Sequence, residues 1–236
     1  MTCQSCAEEI KKILFGLEGV VEVQVDVPAQ RVIVDGTLSS HLLVEKLGEA
    51  GRQAVIYGRS ATNSGNLGAA VCQFTGPKIF GVVFFIQVSE NTCVIETTLD
   101  GLPGGKHGYV IHMFGDLSQD YGRLGPHYNP LGKPHGNAAN GNSECHAGDL
   151  GNLVVGEDGK VVDRKTSHLI QVPMIIGRSI GIYEEEDHLT CGGDDDGGLK
   201  TLLAAAVIAR SAGVLENQKR VCLCDGTTLW ENKNKS

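Results

Sequence analysis

Residues 107–152 read HGYVIHMFGDLSQDYGRLGPHYNPLGKPHGNAANGNSECHAGDLGN and contain five of the eight histidines of the chain. The strand pattern disappears between Gly115 and Gly151, over more than thirty residues. A segment of that length without a periodicity of its own is either disordered or held by something other than an apolar core. Because the histidines lie here, the first hypothesis is a loop that a metal ion holds in place.

Short strands are predicted around this loop. Residues 80–88, FGVVFFIQV, and residues 92–102, TCVIETTLDGL, are rich in β-branched and aromatic side chains, and turn signals separate them. Glycine makes up 32 of the 236 residues, about twice its usual share of roughly 7%, as many tight turns between strands require. The sequence therefore predicts an all-β sandwich or barrel over residues 68–211.

The first 58 residues predict a different unit, with the element order αββαβ. Apolar residues recur at i, i+3, i+4 and i+7 in the first helix, at Ile10, Ile13, Leu14 and Leu17. A hairpin with one buried face follows over residues 21–34, then a helix capped by Ser39 or Ser40 and ended by Gly51. A short strand is expected at residues 54–56. This order lacks only a leading strand to match the ferredoxin-like βαββαβ unit, so we expect a shortened N-terminus and an exposed sheet edge.

The chain is therefore predicted to be multidomain. Residues 1–58 form the head, 59–67 a Gly/Ser/Asn-rich linker, 68–211 the sandwich domain and 212–236 a short polar tail.

Eight cysteines are unusual for a chain without a basic-then-apolar leader, which we expect to be cytoplasmic and reduced. Four of them form two pairs at opposite ends of the chain: Cys3 and Cys6 make C-x-x-C, and Cys222 and Cys224 make C-x-C. The single cysteines are Cys72, Cys93, Cys145 and Cys191. The first two lie in strand patterns and are predicted to be small buried side chains; no role is assigned to any of the four.

The C-x-x-C pair predicts a Cu(I) site. Two thiolates at the start of a helix can turn toward one ion, and soft sulfur donors favour Cu(I), whereas zinc requires four ligands. Arg52 is a candidate for offsetting the charge of the two thiolates. A redox dithiol and a chance pair remain alternatives.

The C-x-C pair predicts a reactive dithiol in the tail. Side chains diverge in an extended chain, so a disulfide between Cys222 and Cys224 would be strained and oxidising, and the same thiolates can hold Cu(I). Lys219 and Arg220 favour the thiolate forms. A zinc half-site and an inert tail remain alternatives.

Charge and hydropathy argue against two functions, nucleic-acid binding and membrane insertion. The 20 basic and 28 acidic residues give a net charge of −8, which argues against nucleic acid. A stretch of eighteen apolar residues is absent, so no membrane span is expected. The acidic clusters 184–187 and 194–196 are interpreted as solvated loop charges.

Motifs along nearly the whole chain resemble one family. MTCQSC followed by αββαβ resembles the metal-binding domain of copper chaperones and copper-transporting ATPases. The motifs HGYVIHMFGD, GPHYNP, KPHG, HAGDLGN and IIGRSIGIYEEEDHL are similar to copper/zinc superoxide dismutases. With ARSAG and VCLCDG-TTLWE near the end, the chain resembles the family of copper chaperones for superoxide dismutase.

The resemblance implies an intact zinc site and a lost copper site. It places the zinc ligands at His127, His135, His146 and Asp149. Of the four copper histidines, His112 and His127 remain, while Val110 and Tyr183 stand at the other two positions. It also places Leu202 at the position of the arginine that guides superoxide, and Tyr121 and Ala205 at those of the disulfide cysteines.

The resemblance implies a metallochaperone without dismutase activity. Cys3 and Cys6 would take Cu(I) from an upstream donor, and the zinc-loaded sandwich domain would form a heterodimer with immature dismutase through a face near Ile175–Ser179. The tail dithiol would complete copper transfer and disulfide formation. A homodimer is a further possibility. An authentic copper/zinc dismutase and a passive metal buffer are the alternatives.

Overall fold

The computed structural model describes residues 4–56, 58–59, 67–118, 122–136, 144–189 and 198–211. The described residues fall into two compact units, one up to residue 56 and one from residue 58.

The first unit contains two helices and a hairpin. Its elements are α1 (Gln4–Phe15), β1 (Val20–Asp26), β2 (Arg31–Gly36) and α2 (Ser40–Glu49). β1 and β2 pair antiparallel, and the helices and hairpin share a small core of Ile10, Leu14, Val23 and Leu47. The Ser39 hydroxyl accepts a hydrogen bond from the Leu42 backbone N–H and caps α2. These elements lie where the sequence pattern predicts them.

The last predicted strand of the head is not formed. Residues 54–56 have an irregular backbone, because no described segment forms a ladder of hydrogen bonds with them. Ala54 nevertheless packs against the core of the head. The prediction of a strand at residues 54–56 is therefore wrong, although the segment contacts the core of the head through Ala54.

The described part of the second unit contains eight strands and one short helix. They are β3 (Ala69–Thr75), β4 (Phe80–Ser89), β5 (Thr92–Asp100), β6 (Gly105–His112), β7 (Asp149–Val155), β8 (Lys160–Ser167), α3 (Val172–Ile175), β9 (Ser179–Tyr183) and β10 (Leu202–Ser211). The sheet order is β7-β6-β9-β10-β3-β4-β5-β8, and every pairing is antiparallel. The crossovers give a Greek-key arrangement, whose core includes Phe74, Phe85, Tyr109 and Ile111.

Sheet topology brings both ends of the histidine-rich loop to one place. β6 ends at His112 and its antiparallel neighbour β7 begins at Asp149. The intervening chain returns to β6, where Tyr128 N–H donates to the Ile111 carbonyl at 2.7 Å. At Gly148 an added Cβ would lie 2.4 Å from the Ile111 carbonyl oxygen, so only glycine allows this close return.

Arg59 packs against the sheet of the sandwich domain, and its side chain is largely buried. Its guanidinium carbon is 3.6 Å from the centroid of the Phe84 ring, and Nε is 3.4 Å from Oε2 of Glu96. Burial acts first to lower the pKa of Arg59, and it falls to about 10 despite the nearby carboxylate of Glu96. The first residue of the predicted linker thus packs on the sheet, while residues 60–66 lie outside the described residues.

Candidate metal centre

The structure brings the four predicted zinc ligands into one cluster. His127, His135, His146 and Asp149 are all buried, and each offers a ligand atom within 4.8 Å of the others. Asp149 is the first residue of β7, and the histidines come from the long loop. The cluster therefore depends on the β6–β7 pairing that returns the loop to the sheet.

Asp149 lies at the centre of the cluster. Its Oδ1 is 2.8 Å from Nδ1 of His127 and 3.3 Å from Nδ1 of His146, and its Oδ2 is 3.0 Å from Nδ1 of His135. Burial by itself would raise the pKa of Asp149, but hydrogen bonds from His127 and the Gly136 N–H, together with the nearby imidazole of His135, outweigh it and lower this pKa to about 2. Asp149 is therefore anionic at neutral pH.

Two buried nitrogen atoms indicate that the cluster suits a metal ion. Nδ1 of His135 and Nδ1 of His146 are buried and have no hydrogen-bond partner, although each lies near Asp149. Buried polar atoms without partners are costly, and a cation that accepts both lone pairs removes that cost. In a tetrahedral zinc shell with bonds of about 2.0–2.1 Å, neighbouring ligand atoms are about 3.3 Å apart. Three imidazoles and one carboxylate at these spacings fit zinc.

Asp187 supports the cluster from outside. Its Oδ1 lies 2.8 Å from Nε2 of His135, and its backbone is held by the Asn152 side chain, which donates to the Asp187 carbonyl and accepts from the Asp187 N–H. Burial alone would lower the pKa of His135, but Asp149 and Asp187 outweigh it and raise this pKa. Asp187 therefore orients the imidazole whose Nδ1 faces the cluster.

The prediction that residues 184–187 are solvated loop charges is wrong for Asp187, which is 1% exposed. Its neighbours fit the prediction better, since Glu184 and Glu186 are exposed. Nothing in the run EEED distinguishes the buried carboxylate from its neighbours. Contacts with β7 and with the histidine-rich loop decide which carboxylate is buried. Residues 194–196 lie outside the described residues.

The position of the implied copper site holds a different set of groups. Val110 is fully buried on β6, and the Tyr183 hydroxyl lies 2.9 Å from Nε2 of His112. The other ring nitrogen of His112 lies 2.8 Å from the Gly125 carbonyl. Burial lowers the pKa of His112 to about 4, so His112 is neutral. Leu202 pairs with Tyr183 in the β9–β10 register, so no guanidinium stands there.

In the head, Cys6 lies in the first turn of α1 and is partly exposed. Arg52 forms an ion pair with Glu9 of the same helix. Its pKa is raised first by Glu9 and then by Cys6, so the arginine stands close to the thiol. Cys3 lies outside the described residues.

The remaining cysteines divide between the core and undescribed segments. Cys72 and Cys93 are fully buried; burial raises the pKa of both thiols, that of Cys93 to about 12. Both are small core side chains, as predicted. Cys145 is also buried. Cys191, Cys222, Cys224 and Tyr121 lie outside the described residues, and Ala205 is on β10.

Within the described part of the chain, no helix combines the length and the apolar character needed to cross a bilayer.

Both units match known protein families. The family described as copper/zinc superoxide dismutase matches residues 79–209, and the heavy-metal-associated domain matches residues 1–54. These matches confirm the predicted fold class.

Several relatives align along the entire chain. The copper chaperone for superoxide dismutase of Homo sapiens is 42% identical over 240 residues, which cover 100% of this chain and 87% of that protein. The protein of the same name from Sus scrofa is 41% identical with the same coverage. Among solved structures, the clock protein EA4 aligns with a TM-score of 0.57 and 28% identity, covering 63% of this chain and 98% of that one.

Proposed function

Because the chain belongs to the family of copper chaperones for superoxide dismutase, we propose that it docks on immature dismutase, delivers Cu(I) and promotes formation of the client's disulfide. The relatives are named as chaperones, in agreement with the prediction of a metallochaperone. One observation carries the proposal: the zinc-type cluster is complete, whereas the copper position holds Val110 and a Tyr183–His112 hydrogen bond.

The first element of the proposal is a structural zinc ion held by His127, His135, His146 and Asp149. Zinc bound by four protein ligands contributes folding free energy and leaves no open coordination position. The cluster draws its ligands from the long loop and from β7. These residues would therefore keep the histidine-rich loop in place, which its sparse apolar content does not do alone.

The second element is capture of Cu(I) by Cys3 and Cys6 from an upstream donor. Cys6 in the first turn of α1 is near the positive end of the helix dipole, which favours thiolate. Arg52, held by Glu9, adds a positive charge beside this thiol. Two thiolates and one Cu(I) carry a net charge of −1, so a neighbouring guanidinium favours the loaded form.

The third element is a docking face on the sandwich domain for one dismutase subunit. Exposed apolar side chains gather there: Phe114, Met174, Ile176 and Val207 are between 37% and 57% exposed. The Ser179 hydroxyl donates to the Phe114 carbonyl, which brings two parts of this face together. The predicted stretch Ile175–Ser179 thus runs through the patch.

Shape and symmetry support the same partner for this face. An open depression of 730 Å³ lies there, lined in part by Phe114, Ile176 and Arg178. Dismutase-like subunits that pair through an isologous face present the same patch to each other, so a subunit-like body offers a dismutase a nearly self-complementary surface. A homodimer through this face would compete with the client.

The fourth element is thiol chemistry in the tail. A Cys222–Cys224 disulfide is attacked by one client thiolate to give a mixed disulfide, and the second client thiol then displaces the tail. The client loses two electrons and two protons as its disulfide forms, and both tail sulfurs become thiols. Oxygen then takes up the two electrons and two protons of the tail thiols, is released as hydrogen peroxide, and so restores the tail disulfide.

A client-activation assay tests the proposal. Reduced, zinc-bound, copper-free dismutase is mixed with this protein, Cu(I) and oxygen, and both superoxide removal and client thiols are measured. The wild type yields active, oxidised client, and the variant Cys222→Ser plus Cys224→Ser does not. Equal activation by this variant would show that the tail has no role in client activation.

The same assay separates the alternatives. A passive metal buffer leaves the client inactive, and an authentic dismutase removes superoxide when copper-loaded in the absence of client. Phe114→Glu should abolish activation and the heterodimer seen by analytical ultracentrifugation. The matched control Val162→Glu changes an apolar residue of similar exposure, 50% against 55%, on β8 and should leave both intact.

A further inference from the structure

The eight-stranded sheet is open between β7 and β8. These two strands stand at opposite ends of the strand order, so no backbone ladder joins them. The Lys165 side chain on β8 spans this opening. Its Nζ donates to the carbonyls of Leu150 and Asn152 on β7, at 3.0 and 2.9 Å. One ammonium group therefore supplies two hydrogen bonds where the sheet has none.

The surroundings of Lys165 hold its side chain in place. Its side chain is 17% exposed, and Nζ lies 3.4 Å from Oδ2 of Asp163 and 4.7 Å from the centroid of the Tyr109 ring. The Tyr109 hydroxyl reaches the same carboxylate oxygen at 3.5 Å. The ammonium thus has a counter-ion, an aromatic face and two carbonyl acceptors, which together offset its desolvation.

The two carbonyls that Lys165 binds belong to a stretch of β7 that supports the metal cluster. Leu150 directly follows Asp149, the central ligand. Asn152 holds the backbone of Asp187 through two hydrogen bonds of 2.8 and 2.7 Å, and Asp187 holds His135. Displacement of this stretch would therefore move one ligand directly and a second through its hydrogen-bond partner.

We propose that Lys165 is a positioning residue for the zinc site, because its ammonium fixes the part of β7 that carries Asp149 and orients Asp187. This inference rests on the zinc binding proposed above. Lys165 lies on the opposite edge strand, β8, and supports the site without contacting it. The hydrogen-bond partners of metal ligands typically change metal affinity by 10–100-fold when they are removed, and we expect about tenfold from this more distant residue.

The test compares zinc affinity of the full-length chain and of Lys165→Met, measured by competition with a chromophoric chelator. Methionine has a similar length and no donor. Lys160→Met is the matched control, because Lys160 lies on the same strand with an exposed side chain. Lys165→Met should bind zinc about tenfold more weakly, Lys160→Met should match the wild type, and Lys165→Arg, which keeps charge and donors, should recover most of the affinity.

Cobalt spectra and thermal unfolding of the zinc-free chains separate positioning from general stability. Co²⁺ in the Lys165→Met chain should show a weaker visible absorption than in the wild type, because its ligand shell departs from a tetrahedron. If Lys165→Met loses thermal stability but keeps wild-type zinc affinity and cobalt spectrum, the proposal is wrong. If Lys165→Met does not fold, Lys165→Gln replaces it, and failure of both to fold with zinc present also overturns the proposal. If the wild type itself does not bind zinc, the proposed zinc site is wrong, and the role of Lys165 is overturned with it.

Discussion

The Tyr183 hydroxyl donates a hydrogen bond to Nε2 of His112, at 2.9 Å. Because His112 is neutral and its Nδ1 faces the Gly125 carbonyl at 2.8 Å, Nδ1 carries the proton and Nε2 accepts. Nε2 is therefore engaged with a phenol instead of being available to a metal. The side chain at the position where the family resemblance implies a copper ligand is thus an internal hydrogen-bond donor.

This pair should show a measurable coupling energy. Tyr183→Phe removes the donor, and we expect it to destabilise the fold by about 1 kcal/mol, the usual net value of a hydrogen bond. Urea unfolding of Tyr183→Phe, His112→Leu and the double variant forms a mutant cycle. Additive effects of the two substitutions would show that the observed contact contributes nothing.

Asp187 should control zinc affinity through His135. Asp187→Asn keeps the shape and removes the charge that holds Nε2 of His135, so we expect zinc to bind about tenfold more weakly, at the low end of the range for such partners. Glu186→Gln is the control, because Glu186 is exposed and pairs with Lys106. Chelator competition measures both, and equal affinities would exclude this role.

Glu185 should make stability depend on acid pH. Burial acts to raise its pKa, but hydrogen bonds from the backbone N–H groups of Thr201 and Lys200 outweigh it and lower the pKa from 4.5 to about 2. A depressed pKa stabilises the fold above the unfolded-state value of 4.5, and this contribution is lost as the pH falls toward 2.

The variant Glu185→Gln checks this sign. It should be less stable than the wild type at pH 6, and the gap should shrink by pH 3, as urea unfolding at each pH would measure. Glu184→Gln removes a charge from an exposed neighbour and should show a smaller gap at pH 6. A constant gap for Glu185→Gln at both pH values would contradict the prediction.

Arg52 should strengthen Cu(I) binding by the head. Arg52→Met removes the positive charge beside Cys6, so Cu(I) affinity measured by competition with a Cu(I)-specific chelator should fall. The difference should shrink as salt is added, because the arginine is partly exposed and its field is screened. Lys46→Met removes an exposed cation paired with Glu49 and should leave the affinity unchanged; an equal loss would point to net charge alone.

Local patterns predicted most of the elements. The spacing of Ile10 and Leu14 places one face of α1 against the hairpin, and Ser39 caps α2 as its position suggests. These elements follow from contacts between residues close in sequence. The strand expected at residues 54–56 is not formed, because a strand needs a partner backbone and the local residue pattern does not supply one.

Side chains that meet across the sandwich domain were harder to foresee. Arg59 was predicted to be linker, yet it stacks on Phe84 and pairs with Glu96. Nothing in the sequence indicated a role for Lys165, because a lysine in a strand is usually solvated. Its role became visible only when β8 was placed beside the unpaired edge of β7.

The amino-acid sequence by itself determined the family, the two fold classes and the identity of the four residues that cluster in the sandwich domain, since motifs and periodicities are properties of residue order. The tertiary structure alone decided that Asp187 is buried against His135, that Tyr183 donates to His112 and that Lys165 crosses the open edge of the sheet. The physical reason is distance along the chain: these pairs are 15 to 71 residues apart, and only the folded sheet brings their atoms to hydrogen-bond range.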